Sequence, residues 1–224
     1  INKGTQIITT SNYSKKNLIK ILGSDKSISS VYQSFNFLKT SSTNYKTPEN
    51  YVLHIGSFEK RKDLITLVKA FKLIDDSNLK LVLAGAQIIN GNSEVLNEIK
   101  KFIVQNKLES KVILAGYVSK DEASVLYKNA RIYVFPSIDE GFGIPILEAL
   151  SFSAPVICSD IDVFKEVGGD YVEYFKAGDS ISLSKKIALI LNPRNLKQNN
   201  HKKYINKFSR KLFIEGFEKI ILKS

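Results

Sequence analysis

The sequence predicts an α/β fold: a parallel sheet with helices on both of its faces. Three observations predict it. Six short apolar runs, at residues 51–55, 79–84, 112–115, 131–135, 155–158 and 171–175, are rich in β-branched and aromatic residues. Patterns with helical spacing fill the intervals between them, and strands that alternate with helices pair in parallel. Glycines stand just past three of the runs, at Gly56, Gly85 and Gly116. Such sheets take ligands beyond the carboxyl ends of their strands, where turns of this kind lie.

The elements follow in order. Residues 6–10 are a short β-type run. Ser11-Asn12-Tyr13-Ser14 then offers capping side chains to a helix over 15–22, which Gly23 ends. Residues 28–32 are another strand candidate. Residues 36–50 are rich in Ser, Thr, Asn and Lys, carry Pro48, and read as a linker. From there strands alternate with helices over 62–74, 94–106, 120–129, 161–167 and 180–191. The end, residues 204–222, places Ile205, Phe208, Leu212, Phe213, Phe217, Ile220 and Ile221 at helical spacing, so one amphipathic helix is expected there.

The stretch 136–154 is the organising feature. It follows the buried run Ile132-Tyr133-Val134-Phe135. Glu140-Gly141-Phe142-Gly143 reads as a loop, and Pro145 suits a helix start, where a missing N–H does no harm. A helix N-terminus behind a glycine loop presents N–H groups and a positive dipole end, which suit phosphate. Glu140 precedes the helix, and Glu148 is expected in its first turn, seven residues intervening. Carboxylates accept hydrogen bonds only, so they suit sugar hydroxyls. Phosphate at one end and hydroxyls on the carboxylates together describe a nucleotide sugar. Taken singly, Glu148 is equally explained as an acid favoured by the helix dipole.

Composition sets bounds. The chain has 224 residues, is 43% hydrophobic and carries a formal net charge of +11. It can bury a substantial core. No apolar run is long enough to span a membrane, and the opening residues lack the apolar core of a signal peptide. The first residue is not Met, which suggests a piece of a longer protein. The single cysteine, Cys158, reads as a buried thiol in a reducing compartment. The positive charge suggests an anionic partner, although the lysines are spread along the chain. His54, inside an apolar run, reads as a core histidine, and His201 as a solvated one. Asp160, Asp162 and Glu166 read as caps and a solvated helix face rather than a metal cluster.

The run Glu140-Gly-Phe-Gly-Ile-Pro-Ile-Leu-Glu148-Ala closely resembles the glutamate-seven-residues-glutamate motif of the family-4 (group 1) retaining glycosyltransferases of GT-B fold. Nearly the whole chain resembles the C-terminal part of such an enzyme. The resemblance implies a Rossmann-like donor-binding domain over 49–202. It makes 1–48 the end of a first domain plus linker, and 203–224 a helix crossing back toward that first domain. It implies that Glu140 faces the donor sugar and that Glu148 holds the ribose hydroxyls. The backbone of Phe142, Gly143 and Ile144 would contact sugar and diphosphate.

A second site is His54-Ile55-Gly56-Ser57-Phe58-Glu59-Lys60-Arg61-Lys62, again a strand, a glycine turn and a basic stretch. Arg61 and Lys62 suit a diphosphate, Arg as a fork and Lys as a point charge; an exposed basic loop would look the same. The family carries a basic pair here that neutralises the departing diphosphate. Many members place Arg directly after the glycine, where this chain has Ser57. Lys62 is therefore the direct carry-over and Arg61 the substitute. Gly85, at a strand end, would allow close ligand approach or only a turn, and the family places the nucleotide base near the loop that carries Val118. The base, uridine against guanosine or adenosine, is not readable.

The resemblance further implies no metal and no cofactor. It implies a UDP- or GDP-linked sugar as donor, a glycan or lipid-linked acceptor, and a cytoplasmic enzyme with peripheral contact at the inner membrane face. Glu140, Lys62 and Arg61 are the catalytic candidates. The competing class is a non-catalytic basic module that binds nucleic acid or a phosphate surface. Against it, no element interleaves basic residues with exposed aromatics, and no specific nucleic acid is expected.

Overall fold

A computed structural model describes residues 6–23, 27–36, 38, 43–85, 94–192 and 201–222. Parts of the expected linker, and the Lys202 side chain in the basic stretch near the C-terminus, lie outside the described residues.

The chain opens with a small unit. Strands β1 (Ile7–Thr9) and β2 (Ile28–Ser30) pair in parallel, joined through helix α1 (Asn12–Leu22). Ser11 caps α1 by accepting from the Ser14 amide, and Gly23 ends it at φ 68°.

The main sheet has six strands: β3 (Tyr51–Ile55), β4 (Lys80–Ala84), β5 (Val112–Gly116), β6 (Ile132–Phe135), β7 (Val156–Ser159) and β8 (Glu173–Phe175). Every pairing is parallel, and the spatial order is β5-β4-β3-β6-β7-β8. The intervening helices are α2 (Leu64–Lys72), α3 (Glu94–Gln105), α4 (Lys120–Asn129), α5 (Ile144–Ser151), α6 (Asp162–Gly168) and α7 (Ser180–Leu191). Successive strand residues feed two cores. Val52, Leu81, Leu83, Ile132, Val134 and Ile157 pack with α2, α3 and α7. Tyr51, Leu53, Val82, Tyr133, Phe135 and Cys158 pack with α4, α5 and α6. Strands covered on both faces must be apolar at every position, and that is why they read as unbroken runs.

Three boundaries differ from expectation. The helix expected from residue 62 begins at Leu64; Lys60–Lys62 is a 3-10 turn, followed by Asp63 in the left-handed region at φ 46°. Glu148 lies in the second turn of α5, not the first, because Gly143 is the N-cap and helix begins at Ile144. The C-terminal helix expected over 204–222 is broken. Helix α8 (His201–Ile205) and a 3-10 turn, Asn206–Phe208, end at Ser209, which caps α9 (Arg210–Ile221). Tyr204, Ile205 and Phe208 are buried with the main core, and Tyr204 Oη donates to the Val167 carbonyl at 2.7 Å. Phe208 also meets the Tyr32 ring of the opening unit at 5.5 Å, and α9 turns to that unit, where Gly216 faces Val31 so closely that a Cβ would lie 3.1 Å from its Cγ1.

His201 also departs from expectation: it is 9% exposed, with its ring against Tyr171 at 6.0 Å. Cys158 is buried, as expected. Among the described residues, no helix is long and apolar enough to cross a membrane.

The order of the strands decides where a site can be. The chain winds outward from β3 in one direction and from β6 in the other. The crevice beyond the carboxyl ends of β3 and β6 is the switch point, where such sheets bind ligands. The loops leaving those ends carry Gly56–Lys62 and Pro136–Gly143.

Candidate donor-binding site

The floor is glycine. The Gly56 amide donates to the Ala84 carbonyl at 2.9 Å, and the Gly85 amide to the Gly116 carbonyl at 2.7 Å. Gly85 has φ 151°, and a Cβ there would fall 1.7 Å from the Gly56 oxygen. No side chain fits, because the obstacle is backbone. The two predicted positions are therefore locked together.

The wall is an ion-pair cluster. Lys62 Nζ donates to Glu140 Oε1, and Arg61 Nη1 lies 2.8 Å from Glu140 Oε2. The Lys62 and Glu140 side chains are only 9% and 11% exposed, and Lys62 Nζ sits 4.8 Å from the centre of the Phe135 ring. Arg61 Nε reaches Glu59 Oε2 at 2.7 Å, and Glu59 accepts from the Ser57 hydroxyl. The 3-10 turn aims Arg61 and Lys62 at the same carboxylate. A backbone bond from the Ile138 amide to the Arg61 carbonyl, 2.8 Å, clips the two loops together. The cluster holds two cations and two carboxylates. That neutrality is the condition in which cations can be withheld from water.

Beside the cluster starts α5. Gly143 has φ 111°, which suits glycine, and Pro145 occupies the first turn. The Phe142 side chain does not face the cleft. It is 3% exposed, with its ring 6.2 Å from Tyr32 and 5.8 Å from Phe208. Any ligand contact at Phe142 is left to its backbone.

Glu148 and Ile144 line an open cleft of about 450 Å³ with Gln33, Phe35, Lys120 and Asp121. Tyr127 Oη donates to Glu148 Oε2 at 3.1 Å. Burial raises the Glu148 pKa above the usual glutamate value, while the Tyr127 hydroxyl and the Lys120 charge oppose the rise. Val118 is half-buried against the same core as Ile144. His54 is fully buried; its Nδ1 bonds the Val134 carbonyl at 2.9 Å, and Nε2 has no protein partner. Burial lowers its pKa to about 4, so the ring is neutral.

The structure thus brings Arg61, Lys62 and Glu140 into direct contact, ties Gly56 to Gly85, and puts Glu148 with Ile144 in one cleft. Glu59 and Tyr127, which hold Arg61 and Glu148, were not singled out from the sequence. Glu59 is two residues from both Ser57 and Arg61, a local signal in the sequence, whereas Tyr127 meets Glu148 only through the fold.

These features define a class: a doubly wound domain whose switch-point crevice is lined by paired cations and carboxylates. The chain belongs to the glycosyl transferases group 1 family, which it matches over residues 38–209. It is similar to the O-antigen chain mannosyltransferase RfbU of Salmonella typhimurium, 33% identical over 168 residues, or 75% of this chain and 45% of the relative. It is also similar to the capsular polysaccharide biosynthesis glycosyltransferase CapM of Staphylococcus aureus, 29% identical over 94% of this chain and 57% of the relative. The chain spans about half the length of these two relatives. Among solved structures, Anabaena Alr3699/HepE, in complex with UDP and glucose, superposes with a TM-score of 0.85 at 16% identity, covering 98% of this chain and 64% of that one. A glycosyltransferase from Rickettsia africae ESF-5 gives 0.85 at 19% identity, covering 99% and 65%. The fold is that of the expected GT-B half.

Proposed function

We propose that this chain is the donor-binding part of a glycosyltransferase that moves a hexose from a UDP- or GDP-linked sugar to a glycan or lipid-linked acceptor, with retention of configuration. One observation carries the reading: Lys62 and Arg61 converge on Glu140 at the switch point, beside the start of α5. The group 1 family and the polysaccharide relatives support it.

The chemistry follows from charge. The departing diphosphate gains negative charge while the sugar becomes cation-like. Lys62, Arg61 and the α5 N-terminus are held in place for the first, without rearrangement during reaction. Glu140 is held where it can orient the sugar and favour positive charge on it. Glu148, fixed by Tyr127, takes the ribose hydroxyls. With two cations and a helix end at the diphosphate, the proposed reaction needs no divalent metal and no cofactor. Residues 1–48 are proposed to close a first domain and lead into the donor unit, and 203–224 to return toward that domain. Peripheral contact with the inner membrane face is part of the same proposal.

The test is a labelled-donor assay, on this chain and on one extended to the length of its relatives, with the product's anomeric configuration read by NMR. The extended chain should transfer with retention, and this chain should bind donor without transfer. An inverted product would refute retention. Equal transfer by both chains would refute the need for a first domain. The charge of +11 leaves a nucleic-acid module as the rival. Salt-sensitive RNA binding that is untouched by Glu148→Gln, with no nucleotide-sugar binding, would favour it.

A further inference from the structure

The loop that carries Glu140 is held from outside the main sheet. Ser11, completely buried, places its hydroxyl 3.1 Å from the Gly141 carbonyl oxygen and 2.9 Å from Ser14 Oγ. Ser14 Oγ lies 3.3 Å from the same carbonyl. Ser11 Oγ already accepts from the Ser14 amide at 3.0 Å, so its proton is free to go outward. Whether Ser11 donates directly or through Ser14, one hydroxyl proton reaches Gly141. From the same opening unit, the Tyr32 ring lies against Phe142. The unit is itself pinned. The Glu166 carboxylate on α6 accepts from the Asn12 amide at 2.7 Å and the Tyr13 amide at 2.8 Å, at the positive end of α1.

We infer that Ser11 and Ser14 are positioning residues for Glu140, fixing the donor loop through the Gly141 carbonyl. The inference rests on the donor-site reading above. Glu140 is followed by a glycine whose backbone is intrinsically free, so the carboxylate needs an anchor one residue on. Ile138 is clipped to Arg61 on one side, and Gly143 opens α5 on the other. The Gly141 carbonyl lies between these fixed points. A shift of the opening unit therefore reaches the sugar-facing carboxylate before it reaches the diphosphate cations.

The experiment is calorimetry on this chain with UDP, GDP and the corresponding nucleotide sugars. In the Ser11→Ala/Ser14→Ala double variant, affinity for the nucleotide sugar should fall about fivefold, as for one lost neutral hydrogen bond. Affinity for the bare nucleoside diphosphate should not weaken. In a Glu140→Gln background the serine changes should add nothing. If the double variant does not fold, Ser11→Gly/Ser14→Ala, which also removes both hydroxyls while glycine is well tolerated at an N-cap, should act in the same direction. Parallel weakening of both ligands would show a merely structural role and overturn the inference, as would no change in either. If the parent binds neither ligand, the donor-site reading falls and takes this inference with it. If the parent binds both and the variants do not discriminate, only this inference falls.

Discussion

Lys62 and Glu140 stand 78 residues apart in sequence and meet as a nearly buried ion pair. They are brought together because β3 and β6 are neighbours in the sheet, with Val52 opposite Ile132. Glu140 also takes Arg61, so it occupies both cations proposed for the diphosphate. A ligand must compete with it. Glu140→Gln should therefore tighten binding of UDP or GDP severalfold while lowering transfer by about 100-fold or more, the scale of a lost transition-state contact. Calorimetry on this chain reads the first, and a transfer assay on the chain extended to the length of its relatives reads the second; weaker nucleotide binding in the variant would contradict the competition.

Removing the cations should do the reverse. Charge-assisted hydrogen bonds contribute about 1.5–3 kcal/mol each. Arg61→Ala/Lys62→Ala should thus weaken a nucleoside diphosphate by at least about tenfold and leave the bare nucleoside nearly unchanged. The comparison is made with chelator present. Binding that strictly requires Mg²⁺ or Mn²⁺ would refute a cradle made of side chains alone.

Glu148 gives a pH dependence. Burial raises its pKa, so it gains a proton at higher pH than an ordinary glutamate, and then no longer accepts from two hydroxyls. Nucleotide-sugar affinity should fall as pH drops through that raised value, and Glu148→Gln should be flat over the same range. For stability the sign is opposite. A raised carboxyl favours the fold at low pH, and that gain is lost as pH rises through the folded pKa. The ligand-free Gln variant should therefore melt higher than the parent at pH 7. A lower melting temperature would contradict the burial penalty.

The glycine floor predicts a contrast. Gly85→Ala puts a methyl 1.7 Å from the Gly56 oxygen, which cannot move without shifting β3. It should destabilise by about 3 kcal/mol or more. Gly141→Ala meets nothing within 4 Å, and should stay within about 1 kcal/mol. Denaturant melts separate the two.

Much of this was legible in the sequence. The parallel sheet showed because strands covered on both faces are apolar throughout, as in Ile132-Tyr133-Val134-Phe135, which is buried at all four positions. Arg61, Lys62 and Glu140 stood out through the family resemblance, and the order of the sheet puts the loops that carry them side by side. The break at Ser209 did not show, because Phe208 and Leu212 keep helical spacing across it. The start of α5 differs from expectation because Pro145 marks a first turn without fixing which residue caps it, and Gly143 is the cap. Tyr127 and the second contact of the capping Ser11 did not show because their partners come from other elements: Tyr127 is 21 residues from Glu148, and Ser11 is 130 from Gly141. Glu59, only two residues from Ser57 and Arg61, could have been found locally.

His54 should mark the acid limb of stability. Its ring is neutral in the fold, with a pKa near 4, while the unfolded chain titrates near 6.5. A lowered histidine supports the fold above its unfolded pKa, and that support is lost as pH falls from about 6.5 toward 4. Between pH 7 and 5 the parent should lose about 2 kcal/mol more than His54→Phe. Identical pH slopes in denaturant melts would contradict this.

The central claim is that Lys62, Arg61, Glu140 and Glu148 form one nucleotide-sugar site. Calorimetric titration of this chain with UDP- and GDP-linked hexoses, in chelator, tests it most directly. Saturable binding of one base series is expected, weakened by Arg61→Ala/Lys62→Ala and, separately, by Glu148→Gln. Absence of binding in both series, or binding that neither variant weakens, would contradict it.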